Sequence, residues 1–154
     1  MIALKWKIIF LMTILCYAFP VAADVKVSNL RDYNFGLYPG SGGLRDDKNI
    51  CINVLPRGRY QIVMFGDGSG GRFEVFNGVN SIPYRVFYND RPQSIGANRV
   101  RPSRVLSRQR GASDQLDCTN GLNANIRIDL RARDLTRASP GRYQGVLTMT
   151  VSPE

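Results

Sequence analysis

Ala124-Asn125-Ile126-Arg127-Ile128-Asp129-Leu130-Arg131 alternates without a break, with apolar residues at the even positions and polar or charged ones at the odd. Successive side chains of a β-strand point to opposite faces, so the stretch reads as a strand with one buried and one wetted face. A helix of period 3.6 would not gather the same residues on one side. The period of two extends outward from there. Residues 82–88 read as a strand that is apolar on both faces, and Tyr60, Ile62 and Met64 share one face of residues 59–65. Phe73, Val75 and Asn77 alternate with Arg72, Glu74 and Phe76. Ile50-Cys51-Ile52-Asn53-Val54-Leu55 is a strand ended by Pro56, which has no N–H to give to a ladder. Val25 and Val27 open the β-rich region and Tyr33-Asn34-Phe35-Gly36-Leu37-Tyr38 follows; a last strand is expected over residues 143–151.

Between these runs lie turn signals: residues 39–43, and Gly66-Asp67-Gly68-Ser69-Gly70-Gly71. Residues 89–117 form a polar excursion with one or two short strands expected around Val100 and Val105. Seven or more short strands in about 130 residues predict an antiparallel β-sandwich. No repeat or linker divides the chain, so residues 24–154 are expected to form one domain.

Residues 1–23 read differently. Lys5 and Lys7 precede an apolar stretch from Ile8 to Phe19, and Pro20-Val21-Ala22-Ala23 then leads to Asp24. A basic start, a short apolar stretch and a small-residue exit describe a secretory signal peptide, with Asp24 as the expected mature N-terminus. Its loss leaves 19 basic residues against 12 acidic ones, and 17 of the 19 are arginines. It also removes Cys16, leaving Cys51 and Cys118. Two cysteines in an exported chain are expected to pair, two free buried thiols being the alternative.

The 154 residues include no His, which excludes a Ser-His-Asp triad, a Cys-His pair and any His-based zinc site. Ser69 in the glycine-rich turn therefore has no base, and no Gly-Lys-Ser/Thr follows to make the turn a phosphate loop. One Asp among glycines is a thin ligand set for calcium. Glycoside hydrolysis needs two carboxylates, but Glu74 is the sole internal Glu and Asp46-Asp47 sit beside Lys48. The chain is read as neither an enzyme nor a cofactor or metal protein.

Arginines mark the excursion; a solvated, charged face is the favoured reading of them, with Arg99, Arg101, Arg104, Arg108 and Arg110 as a candidate polyanion patch the alternative. No aromatics interleave with them, and the chain is exported, so nucleic acid is not the expected partner.

Counting back from Glu154 as one, Val151, Met149 and Leu147 fall at positions 4, 6 and 8, with Gly145 tenth, Tyr143 twelfth and Gly141 fourteenth. A final strand of this kind resembles that of chaperone–usher pilins. Asn34-Phe35-Gly36, Ile50-Cys51-Ile52, Arg59-Tyr60-Gln61-Ile62 and the turn at 66–71 are similar to the spore coat U branch, the archaic chaperone–usher subunits. So are Ile82-Pro83-Tyr84-Arg85-Val86-Phe87-Tyr88-Asn89-Asp90 and Gly141-Arg142-Tyr143-Gln144-Gly145-Val146-Leu147-Thr148.

The resemblance implies an all-β, immunoglobulin-like antiparallel sandwich missing one strand, in an exported structural subunit of a surface pilus that serves adhesion or biofilm. A periplasmic chaperone lends a strand to the open groove, and a neighbouring subunit's strand replaces it at the outer-membrane usher. Tyr143, Gly145, Leu147, Met149 and Val151 would border that groove, with Val25 and Val27 on the opposite edge. The route runs through the inner membrane to the periplasm and then the cell surface, where a receptor or glycan is a further partner. Two departures stand out: residues 25–35 carry no Cys, and only residues 24–33 precede Phe35-Gly36, which leaves no donor extension and suggests a terminal or tip subunit, or an exported homologue that never polymerises. The alternative function is a secreted, self-complete β-sandwich that binds an anionic glycan or other polyanion.

Overall fold

The alternating stretch quoted above becomes a central strand of the larger of two sheets in the computed structural model, which describes residues 23–154. The signal peptide read over residues 1–23 lies outside the described residues except for Ala23. The strands are β1 (Asp24–Ser28), β2 (Leu44–Leu55), β3 (Tyr60–Phe65), β4 (Glu74–Asn77), β5 (Asn80–Asn89), β6 (Asn98–Val100), β7 (Leu106–Gln109), β8 (Ala124–Leu130) and β9 (Thr148–Pro153). A single-turn helix, α1 (Ala132–Leu135), follows β8.

The larger sheet runs β1-β2-β8-β5-β4, with β6 also paired to β5, and the smaller runs β7-β3-β9. Every ladder is antiparallel. The two sheets make an open, curled, immunoglobulin-like β-sandwich that is incomplete on one side. Its core is drawn from the inward set of each strand. Ile50, Ile52 and Val54 come from β2, Tyr60, Ile62 and Met64 from β3, Val86 and Tyr88 from β5, and Ile126 and Ile128 from β8. Burying each such side chain is worth about 1.5–3 kcal/mol, so the sheets are held face to face mainly by this layer. One polar contact crosses it: the Tyr60 and Tyr88 hydroxyls lie 2.6 Å apart.

Three elements differ from the sequence reading. Residues 33–38 form no strand. Asn34 Oδ1 accepts a hydrogen bond from the Gly36 N–H at 3.0 Å, and Gly36 takes a φ of +66°, a local turn that competes with extended pairing. Second, β2 begins at Leu44 rather than Ile50. Third, residues 143–151 are not one strand. Gln144 exchanges both backbone hydrogen bonds with Phe76 of β4, and the chain then crosses to pair with β3 from Thr148 onward. Gly145 permits the crossing, because a Cβ there would sit 3.0 Å from the Glu74 carbonyl oxygen. The short strands expected near Val100 and Val105 are β6 and β7.

Candidate functional site

Two strand edges face each other where the sandwich is open. β1 pairs along its length with the end of β2, Asp24 against Leu55 through to Ser28 against Cys51. β9 pairs with β3, Tyr60 against Pro153 through to Phe65 against Thr148. Among the described residues, neither strand has a ladder on its other side, although β1 and β9 lie alongside each other at the mouth. Each therefore presents a row of unpaired backbone N–H and C=O groups.

Apolar coverage thins toward the same mouth. Ile62 and Met64 of β3 are fully buried, whereas their direct partners on β9, Val151 and Met149, are only half-buried. Val25 and Val27 on β1 and Leu147, just ahead of β9, are also half-buried against the core. These five residues are partly buried apolar side chains packed against the core on the open side. The period of two selects them, since Thr148 and Thr150 point the other way and are exposed. Tyr143 and Gly145 belong to the stretch held against β4; the Tyr143 hydroxyl donates to the Ser139 carbonyl at 3.0 Å.

The last residue closes the far end of β9. The Glu154 N–H donates to the Arg59 carbonyl at 3.0 Å, and its carboxylate accepts from the Arg108 N–H at 3.1 Å. β9 is thus tied to both β3 and β7, and its remaining freedom is at the edge toward β1. No periodicity signals this clamp, because Glu154 acts from beyond the strand.

Cys51 and Cys118 are bonded, with Cα atoms 5.8 Å apart. Cys51 points from the outer face of β2, and the bond draws residues 110–123 along that strand. Ser113 then exchanges backbone bonds with β2, donating to Ile52 at 2.9 Å and accepting from Val54 at 3.1 Å. The Asn123 side chain accepts from the Ile52 N–H and donates to the Ile52 carbonyl, both at 2.8 Å. These contacts satisfy the part of β2 that β8 does not reach and leave the β1 side of the sheet undisturbed.

The expected arginine patch is spread over the molecule. Arg99 lies on β6 and Arg101 follows it, while Arg104 is in the turn between β6 and β7. Arg108 lies on β7 of the other sheet, and the Arg110 N–H donates to the Asp90 carboxylate at 3.0 Å.

The aromatic hydroxyls show how dry the interior is. Burial pushes Tyr60 up to about 12, opposed by the hydrogen bond with Tyr88 and aided by the Asp90 charge. Burial and then the Asp67 charge raise Tyr84 to about 12 as well. Tyr88 and Tyr33 are raised further, again chiefly by burial.

The fold is similar to a chain of the solved structure described as "Chaperone-tip adhesin complex is vital for synergistic activation of CFA/I fimbriae biogenesis". The TM-score is 0.60 at 15% sequence identity, and the match covers 85% of this chain and 43% of that one. This chain therefore spans less than half the length of the one it matches. At that identity the likeness is one of fold. No protein-family model matches the sequence, and no curated relative matches it.

Proposed function

We propose that this protein is an exported structural subunit of a chaperone–usher pilus, of the spore coat U kind, and that it accepts a partner's strand at the β1–β9 opening, the two strands parting where they now approach each other. The observation that carries this reading is the coincidence of two open strand edges with a half-covered apolar row: Val25 and Val27 on one side, Leu147, Met149 and Val151 on the other. Strand addition needs both parts. Backbone pairing along a free edge gives affinity, and alternate side chains entering an apolar row set the register. The fold likeness to a chain from a fimbrial chaperone–tip adhesin structure supports the same assignment.

A periplasmic chaperone fills the opening first, and the strand of a neighbouring subunit takes its place at the outer-membrane usher. Residues 24–28 are taken up in β1 and so are not free to serve as a donor, which favours a terminal or tip place in the pilus. Export follows from the signal peptide, and intact-mass analysis of exported protein is expected to find Asp24 at the N-terminus.

The deciding experiment places a charge on each face of β9 in turn. Met149→Arg sets a guanidinium where a donor side chain must dock, and burying a charge without a partner costs several kcal/mol. It is expected to abolish co-purification with a co-expressed periplasmic chaperone and to abolish surface display. Thr150→Arg, on the exposed face of the same strand, is expected to leave both unchanged. Equal capture of Met149→Arg and wild type would refute the reading.

A further inference from the structure

The outer face of the larger sheet carries a charge pattern that strand addition does not use. β8 lies between β2 and β5, and their registers set Arg45 and Arg85 directly across from Asp129. One step along, Asp47 and Phe87 flank Arg127, and Arg99 of β6 stands across from Phe87. Cross-strand neighbours on one face are about 4.5–5.5 Å apart, which is close enough for each row to interact.

Three guanidiniums converge on one carboxylate. The Asp129 side chain is only 5% exposed, and it is approached by Arg45 Nε at 3.1 Å, Arg127 Nε at 3.3 Å and a terminal nitrogen of Arg85 at 3.5 Å. A carboxylate offers about four lone-pair sites, whereas each guanidinium brings five N–H donors, so most donors stay unclaimed. Among the described residues, Arg85 Nε and Arg127 Nε are buried without a hydrogen-bond acceptor; the Arg127 contact is an ion pair that lacks hydrogen-bond direction. Arg45 is 64% exposed, and its terminal nitrogens have no hydrogen-bond partner among the described residues. Asp129 thus fixes the orientation of a cationic array without neutralising it.

Two shallow depressions meet at Arg85. One is bordered by Arg45, Arg85, Asp129 and Arg131, the other by Arg72, Arg85, Arg99 and Arg101. Phe87, the aromatic side chain of this array, already has Arg127 over its ring at 4.1 Å and Arg85 at 5.8 Å, which a base would have to displace to stack there. Fixed guanidiniums in a line favour planar or tetrahedral anions repeated along a chain, which they grip by paired N–H groups.

We propose that this face binds a linear acidic polysaccharide, whose carboxylates or sulfates engage Arg45 and Arg131 on one side of Arg85 and Arg99 and Arg101 on the other. The site is independent of the β1–β9 opening. Asp129 already orients Arg45 and Arg85, and Asp134 holds Arg131 Nε at 2.6 Å with the terminal nitrogens of Arg131 left to a ligand, so the side-chain freedom lost on binding falls mainly on Arg99 and Arg101.

The test measures binding of the mature protein to polygalacturonate and to dextran sulfate across a salt series, with neutral dextran and single-stranded DNA alongside. Wild type is expected to bind at least one acidic polysaccharide and not dextran, and the preferred one identifies the anion. Arg45→Glu is expected to weaken binding about tenfold and flatten its salt dependence, with a smaller loss for Arg45→Gln. Arg108→Glu makes the same change in net charge on the other sheet and is expected to alter binding less than about twofold. Retained β-sheet circular dichroism confirms that each variant is folded. Equal weakening by Arg108→Glu, tighter binding to single-stranded DNA than to either polysaccharide, or no binding by wild type would each overturn the proposal.

Discussion

Tyr60 and Tyr88 put two hydroxyls inside an apolar layer, where each is the other's partner at 2.6 Å. A buried hydroxyl that loses its partner costs about 1–3 kcal/mol, whereas removing both can be nearly neutral. Tyr88→Phe is therefore expected to destabilise the protein by about 1–3 kcal/mol, and adding Tyr60→Phe is expected to recover part of that loss. Denaturant unfolding of the two single variants and the double variant gives the coupling directly. The same environment makes stability depend on alkaline pH. Unfolded tyrosines ionise near pH 10, while Tyr60 and Tyr84 hold their protons to about 12 in the folded state. Between those values the unfolded chain has released protons that the folded one keeps, so stability falls as pH rises. It is complete below pH 10. The denaturation midpoint is expected to be insensitive to tyrosine ionisation below pH 10 and to drop steeply from 10 to 12, in step with tyrosinate absorbance. A midpoint that stays flat through that range would contradict the buried-hydroxyl account.

At the scale of elements, the disulfide joins β2 to the segment that leads into β8, across a sequence separation of 67 residues. By the chain-entropy estimate such a closure is worth about 4 kcal/mol, and it also holds Ser113 and Asn123 against β2. Cys51→Ala is expected to lower unfolding free energy by about 2–5 kcal/mol and to raise hydrogen exchange at Val54, whose N–H bonds to Ser113. Undiminished protection of Val54 would show that the segment holds without its bond. The strands that the sequence made legible are those whose two faces see different surroundings, such as β3. In β8 the polar face expected to be wetted is instead buried, with Asn125 and Asp129 held by Asp47, Asn49, Arg45 and Arg127, so its alternation separates an apolar from a polar interior. β2 is legible only from Ile50. Its first half carries Arg45, Asp46, Asp47 and Lys48, and both faces are polar because Asp46 and Lys48 pair with each other at 3.0 Å. The stretch at 143–151 misled for a different reason: its alternation is real, but one half serves each sheet. The half-burial of Leu147, Met149 and Val151 follows that alternation, whereas the arginine array was not legible. Arg45, Arg85 and Arg127 meet at Asp129 only through register, which no single strand encodes.

For the whole molecule, the open side sets the thermodynamics. The larger sheet is covered by a three-stranded layer that stops at β9, and the row Leu147, Met149 and Val151 is left half-buried at the open side. The transfer energy of that surface is left unrealised in the isolated chain, and a free edge beside it invites pairing with any available strand. A ligand that binds the folded state and not the unfolded one adds RT ln(1 + [L]/Kd), which is about 2.7 kcal/mol at a hundredfold excess over Kd. For a domain of this size that corresponds to a rise of about 10 °C in the melting temperature. A synthetic peptide with alternating apolar side chains, supplied at such an excess, is expected to raise the melting temperature of wild-type protein by that amount. The shift should vanish in Met149→Arg and persist in Thr150→Arg, because only the first residue faces the opening. A polar peptide of the same length should have no effect, since edge pairing without a filled apolar row gives little. Protein that unfolds reversibly on its own and melts at the same temperature with or without the apolar peptide would mean that the sandwich is thermodynamically closed as it stands, and the strand-acceptor reading would fall with it.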